Sequence, residues 1–156
     1  MGMISDLEHI KCTGLLEENY VGRLAYIYEN EPHVVPSTYF FDKNNKRLLC
    51  FASNGHRIHA LRQYNRVSFQ VDHVESFRSW KSVQVHGIFE ELAGERAKNG
   101  LKLFVDGVQN TIEHKNLERP HFLSLFSSKL QETDMPVVYS ITLTKITGKA
   151  VTEPHK

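Results

Sequence analysis

Apolar residues recur at every second position through five separate runs of this chain, and that alternation limits its fold more than any motif does. The runs are 21–28, 34–41, 48–52, 67–71 and 82–89, and each is a strand candidate. In the fourth, Val67, Phe69 and Val71 alternate with Ser68, Gln70 and Asp72. In the fifth, Val83, Val85 and Phe89 share one face, while Trp80, Ser82, Gln84 and His86 share the other. A sixth run, 137–146, follows Pro136 and puts Val137, Tyr139, Ile141 and Leu143 together. The segments 29–32 and 42–46 are short and polar, as antiparallel hairpins need. Helical spacing interrupts this rhythm. Ile4, Leu7, Ile10, Leu15 and Leu16 predict an N-terminal amphipathic helix, with Ser5 and Glu8 as a capping box. Ile58, Leu61 and Tyr64 predict a short helix over 56–64, and Ala97, Leu101, Phe104, Val105 and Val108 a longer one over 93–108 that Gly100 and Gly107 weaken. Residues 111–120 read as loop and 122–130 as a short helical piece. Together these predict a mainly β fold, a six-stranded antiparallel barrel with helical insertions, in one domain spanning residues 1–156.

With 156 residues the chain has room for one core and no second domain. A net charge of +1 gives no global attraction for a polyanion, so nucleic acid is not an expected partner. Trp80 beside Lys81 lacks the wider basic and aromatic interleaving of a base-stacking platform. No run has the length of a membrane span, and residues 1–20 carry acids where a secretory signal needs a basic start. Cys12 and Cys50 form no CxxC pair and have apolar neighbours, which predicts reduced thiols and a cytoplasmic protein.

The chemistry concentrates at Phe51-Ala52-Ser53-Asn54-Gly55-His56-Arg57, where a strand passes through small residues into a helix. Ser53 is able to cap, Gly55 admits close backbone approach, and Arg57 falls in the first helical turn, where free amides and the helix dipole favour an anion. The pattern alone serves equally a capped helix with a solvent-facing Arg and a phosphate cradle. Val35-Pro36-Ser37-Thr38 places a Pro in a strand-like run, which marks an edge strand. That edge is either a plain boundary or a row of free amides, carbonyls and hydroxyls for a planar heterocycle. His56 and His59 have i, i+3 spacing, but no third ligand accompanies them, so no metal is expected. GxSxG, Walker and GxGxxG sequences are absent.

The order of Val21-Gly22-Arg23-Leu24-Ala25, Pro32-His33-Val34-Val35-Pro36, residues 51–57, Trp80-Lys81-Ser82-Val83-Gln84-Val85-His86-Gly87 and Ile146-Thr147-Gly148-Lys149 resembles the pyridoxamine 5'-phosphate oxidase-like flavoproteins. The likeness is to their nitroimidazole-reductase-like branch and covers nearly the whole chain. It implies an FMN-binding split barrel and a homodimer with FMN at the subunit interface. Val35, Pro36, Ser37 and Thr38 would then lie along the isoalloxazine and ribityl. Phe51, Ala52 and Ser53, followed by His56 and Arg57, would hold the ribityl and phosphate, with Trp80 and Ser82 near the flavin. Two departures stand out. His56 replaces the first residue of the family's Arg-Lys pair, and residues 147–156 lack the Trp-, Arg- and His-rich segment that grips the substrate phosphate in true pyridoxamine 5'-phosphate oxidases. The resemblance therefore implies an FMN-dependent oxidoreductase acting on another small acceptor, with no catalytic side chain singled out. Two alternatives stand beside it. One is a non-catalytic flavin- or haem-binding barrel, and the other is a structural dimer with an empty site.

Overall fold

Strand alternation carries through the computed structural model, which describes residues 3–116 and 136–152. In chain order the elements are β1 (Ser5–Asp6), α1 (His9–Glu18), β2 (Val21–Tyr28), β3 (Glu31–Thr38), β4 (Phe40–Asp42), β5 (Arg47–Ala52), α2 (His56–Gln63), β6 (Arg66–Ser76), β7 (Ser79–Glu91), α3 (Gly94–Asn116) and β8 (Val137–Val151). Every strand pairing is antiparallel, in the order β3-β2-β6-β7-β8-β5-β4, with β1 added to β8. The mainly β split barrel holds, but with eight strands among the described residues rather than six.

One extra strand comes from dividing the expected run 34–41. β3 pairs with β2 and β4 with β5, so the chain changes partner at Tyr39 and joins the two ends of the sheet. β3 approaches β5 without a ladder between them, and this gap is the split. The β2–β3 turn is tighter than expected. Tyr28 pairs with Glu31, so Glu29 and Asn30 alone make it, both with positive φ (51° and 63°), as a two-residue hairpin of matching twist requires.

The other extra strand corrects the N-terminus. Ser5 and Asp6 pair with Ala150 and Lys149 instead of capping a helix, and the Leu7 amide donates to Gly148 O at 2.9 Å. α1 therefore begins at His9, with Glu8 at its N-cap and no side-chain cap bond. Ladder bonds outcompete the capping box because β8 offers an open edge there.

Two cores result. The first fills the barrel with Leu24, Tyr26, Leu48, Cys50, Phe69, Val71, Val83, Val85, Tyr139 and Ile141. α1 contributes Cys12, Leu15 and Leu16 to it, and α2 contributes Ile58, Ala60 and Leu61. The second lies outside the barrel, where Phe104, Val108 and Ile112 of α3 pack on Leu49 and Val138. α3 runs to Asn116, past the loop expected over 111–120, because Ile112 continues its buried stripe. The helical piece expected over 122–130 lies outside the described residues. Tyr64, expected on the buried face of α2, is its C-cap and is exposed. No helix among the described residues is long and apolar enough to cross a membrane.

Gly107 shows why a helix-weakening residue sits inside α3. A Cβ there would lie 2.1 Å from the Phe40 ring, so the glycine lets the helix press onto β4. Gly107→Ala is expected to destabilise the fold by about 1–3 kcal/mol through overpacking, despite alanine's better helix propensity. Urea unfolding measures this, and an unchanged midpoint would contradict the close contact.

Candidate functional site

Where β3 leaves β5, four polar side chains come close enough to act on one another near the N-terminus of α2. Ser37 comes from β3, Cys50 from β5, Tyr139 from β8 and Arg57 from α2. Strand register explains the meeting, since Cys50 pairs directly with Tyr139 and both point into the barrel. Ser37 is buried, and its Oγ donates to Thr38 O at 3.3 Å. Cys50 acts on the Tyr139 hydroxyl by charge, and Ser37 and Arg57 act on it as weak hydrogen-bonding neighbours. These contacts are longer than a normal hydrogen bond, and that oxygen is a buried polar atom with no close partner.

Burial dominates the titration of this floor. It pushes the Cys50 thiol from an ordinary 9.0 up to about 12, against the lowering influence of Tyr139, Ser37 and Arg57. It also raises Tyr139, with the Cys50 charge adding to the rise and Ser37 and Arg57 opposing it. Both groups are neutral at physiological pH, and the charged side chain acting on them is Arg57.

Arg57 is half-buried. Among the described residues it has no carboxylate partner, and its guanidinium makes a long contact with the Tyr139 hydroxyl. The helix above it is equally open. Gly55 is the N-cap of α2 and makes no side-chain cap bond. The first helical bond runs from His59 N to Gly55 O at 3.0 Å, which leaves the His56, Arg57 and Ile58 amides without intrahelical acceptors. Ser53, expected as a cap, is exposed and does not cap. A guanidinium without a carboxylate beside free amides is an anion-binding arrangement.

Other predicted residues divide by strand face. Val35 points with Ser37 toward the barrel core, while Pro36 pairs with Arg23 and Thr38 with Val21 on the outer side. The edge-strand reading of Pro36 is correct, since β3 ends the sheet order. Phe51 packs its ring on Phe104 of α3, with centroids 5.8 Å apart, so that side chain belongs to the second core. Ala52 packs against the barrel core. His56 turns its ring edge onto Tyr28 at 4.1 Å and stands 5.9 Å from His33. Among the described residues no three His, Cys, Asp or Glu side chains converge as metal ligands.

Trp80 and Ser82 lie elsewhere. Ser82 pairs with Lys149, ten residues beyond Tyr139 along β8, which is roughly 30 Å of strand. Ser82 Oγ accepts from Gln70 Nε2 at 2.9 Å, Gln70 also donates to Asp72 at 2.9 Å, and Asp72 pairs with Arg23. Trp80 lines a cavity of about 260 Å³ with Leu15, Asn19 and Lys115. Cys50 and Tyr139 were not among the predicted site residues. Their signal was a thiol and a phenol at inward positions of otherwise aliphatic strands.

Comparison with known proteins agrees with this architecture. A family model described as pyridoxamine 5'-phosphate oxidase matches residues 8–150, and the chain belongs to that family. An FAD-binding protein from Mesorhizobium loti is 31% identical, with 98% of this chain and 100% of that one covered and a TM-score of 0.68. An uncharacterised protein of Rhizobium meliloti strain 1021 is 28% identical over 141 residues, 90% of each chain. A candidate 5-nitroimidazole antibiotic resistance protein from Bacteroides thetaiotaomicron shares the fold at 15% identity, with a TM-score of 0.70 over 96% of this chain and 89% of that one.

A raised thiol pKa makes stability depend on alkaline pH. The contribution of neutral Cys50 is full below its ordinary 9.0 and is lost as pH rises through about 12. Unfolding free energy is therefore expected to fall between those values. Cys50→Ala should lower stability at neutral pH through the lost packing yet flatten the alkaline slope. Urea titrations across that range test it, and an unaltered slope would count against a buried neutral thiol.

Proposed function

We propose that the protein is a cytoplasmic FMN-dependent oxidoreductase acting on a small acceptor as a homodimer. The observation that carries this reading is Arg57, without a carboxylate partner among the described residues, beside the free amides of α2. That arrangement fits a phosphate, and in a pyridoxamine 5'-phosphate oxidase family member the phosphate of a flavin is the natural occupant. The FAD-binding relative supports the same end of the molecule, because FAD and FMN share the ribityl phosphate. Arg57 gives the phosphate a bidentate contact, and the amides of His56, Arg57 and Ile58 supplement it. The β3 backbone at Val35, Pro36, Ser37 and Thr38 offers edge amides and carbonyls to the ring, with Pro36 unable to donate. When bound, the flavin supplies hydride or electron transfer, and the chain's own groups bind, orient and shield it. Free Cys12 and Cys50 fit a reducing compartment.

Strand register supports the dimer. Roughly 30 Å of β8 separates Tyr139 from the partner of Ser82, too far for one FMN to span. Trp80 and Ser82 can therefore approach the flavin held at Arg57 only from a second copy. The outer face of β2, β6 and β7 carries Arg23, Gln70 and Gln84 around a hollow that also reaches Val34, whereas α3 covers β4, β5 and β8.

FMN titration followed by flavin fluorescence tests the site. Arg57→Ala should weaken FMN about ten- to hundredfold, the worth of a charge-assisted contact. Unchanged affinity would remove Arg57 from the phosphate. A Soret band on haem addition, with no flavin uptake, would overturn the flavin reading altogether.

The interface has its own measurement. On dilution, FMN release should track dissociation of the dimer in sedimentation. A monomer that binds FMN at full affinity would exclude a shared site.

A further inference from the structure

The Tyr139 hydroxyl is fully buried and has no hydrogen-bond partner at normal distance, with Ser37 and Arg57 as its nearest polar influences. Native proteins seldom leave such a group unpaired, because its desolvation is uncompensated. The ring itself is well used, packed on Phe89 with centroids 5.2 Å apart inside the barrel core. Phenylalanine would fill that role without stranding an oxygen. A tyrosine here needs another explanation, and its neighbours supply one.

We infer that Tyr139 is a positioning residue for Arg57, and that its hydroxyl completes its hydrogen bonds when the guanidinium is drawn onto a phosphate. This rests on the flavin reading given above, and it assigns to a residue outside the predicted set the selection of phosphorylated over unphosphorylated ligands.

The donor and acceptor count closes in one direction. Arg57 has five N–H donors and no acceptor, and a bidentate phosphate engages two of them. An inward N–H is then free to donate to the Tyr139 oxygen, and the Tyr139 O–H donates in turn to Ser37 Oγ. Ser37 already directs its own proton to Thr38 O, so its oxygen is available as the acceptor. Cys50 beneath is a neutral thiol and adds no competing charge. Burial keeps the phenol protonated, so it is able to donate. Without an anion, Arg57 has no carboxylate among the described residues to hold its orientation, and its contact with the phenol stays long. A phosphate above and the phenol below would fix the guanidinium plane between them.

Tyr139→Phe, compared with wild type for FMN and for riboflavin, tests the inference. The expected result is about tenfold weaker FMN binding with riboflavin affinity unchanged, and ligand-free stability in urea equal to or above wild type. Ser37→Ala, which removes the proposed acceptor, should shift FMN in the same direction. FMN affinity unchanged in Tyr139→Phe would overturn the positioning role while leaving the flavin reading intact. Equal losses for FMN and riboflavin, or a loss that follows lower stability, would also overturn it, since a packing role alone has that effect. Wild-type protein that binds neither ligand would overturn the flavin reading and this inference together.

Discussion

The barrel depends on the corner at Tyr39, where a single run of chain stops pairing with β2 and begins pairing with β5. Three contacts hold that corner. The Tyr39 hydroxyl donates to Leu16 O of α1 at 2.8 Å, its amide donates to Tyr20 O at 2.8 Å, and its ring meets Phe69 edge-on at 5.1 Å. The phenol is fully buried, yet its polar atom is satisfied, so burial stabilises rather than strains. Because the strand must leave β5 there, the sheet cannot zip shut beyond Leu49. Cys50, Phe51 and Ala52 retain β8 on one side and have no strand ladder on the other. The split is thus a consequence of the corner, and the polar cluster sits at its edge.

Two arginines show how the mouth differs from the rest of the molecule. Arg47, also half-buried, is held at 2.8 Å by Asp42, which accepts a second bond from Asn45. Arg57 has no such carboxylate among the described residues. A guanidinium at this depth without compensation carries a desolvation cost, and an anion arriving from solution would offset it. The contrast separates an arginine that closes a turn from one that is poised for a ligand.

Much of this was legible in the sequence, because alternation reports burial directly. The β2 bounds, the inward Val83 and Val85, and the edge position of Pro36 all follow from side-chain period and proline chemistry. What escaped were features decided by distant partners. Ser5 and Asp6 have an adequate helical pattern, and only the open edge of β8 makes them a strand. Gly107 reads as a helix breaker until Phe40 is seen against it. Tyr139 looks like one more core aromatic, and its unpaired oxygen emerges only once β5 and β8 are in register. The junction at Arg57 was visible, but its cap was misread. Ser53 has the right chemistry for a cap, while Gly55 has the right position.

The replacement of a fixed charge by His56 looks at first like a weakness in the proposed phosphate site. The geometry moderates that conclusion. The His56 ring lies against Tyr28 and near His33, so its placement is set by the β2–β3 hairpin and it does not stand as a free surface imidazole. Arg57, by contrast, lies over a floor made neutral by burial, where Cys50 and Tyr139 both hold their protons. A positive charge over a buried floor, with no carboxylate partner among the described residues, acts at a lower effective dielectric than one on the surface. In the proposed site, one arginine and three backbone amides would do what two exposed cations do elsewhere. The neutrality of the floor would then be as much a part of that proposed site as Arg57 itself.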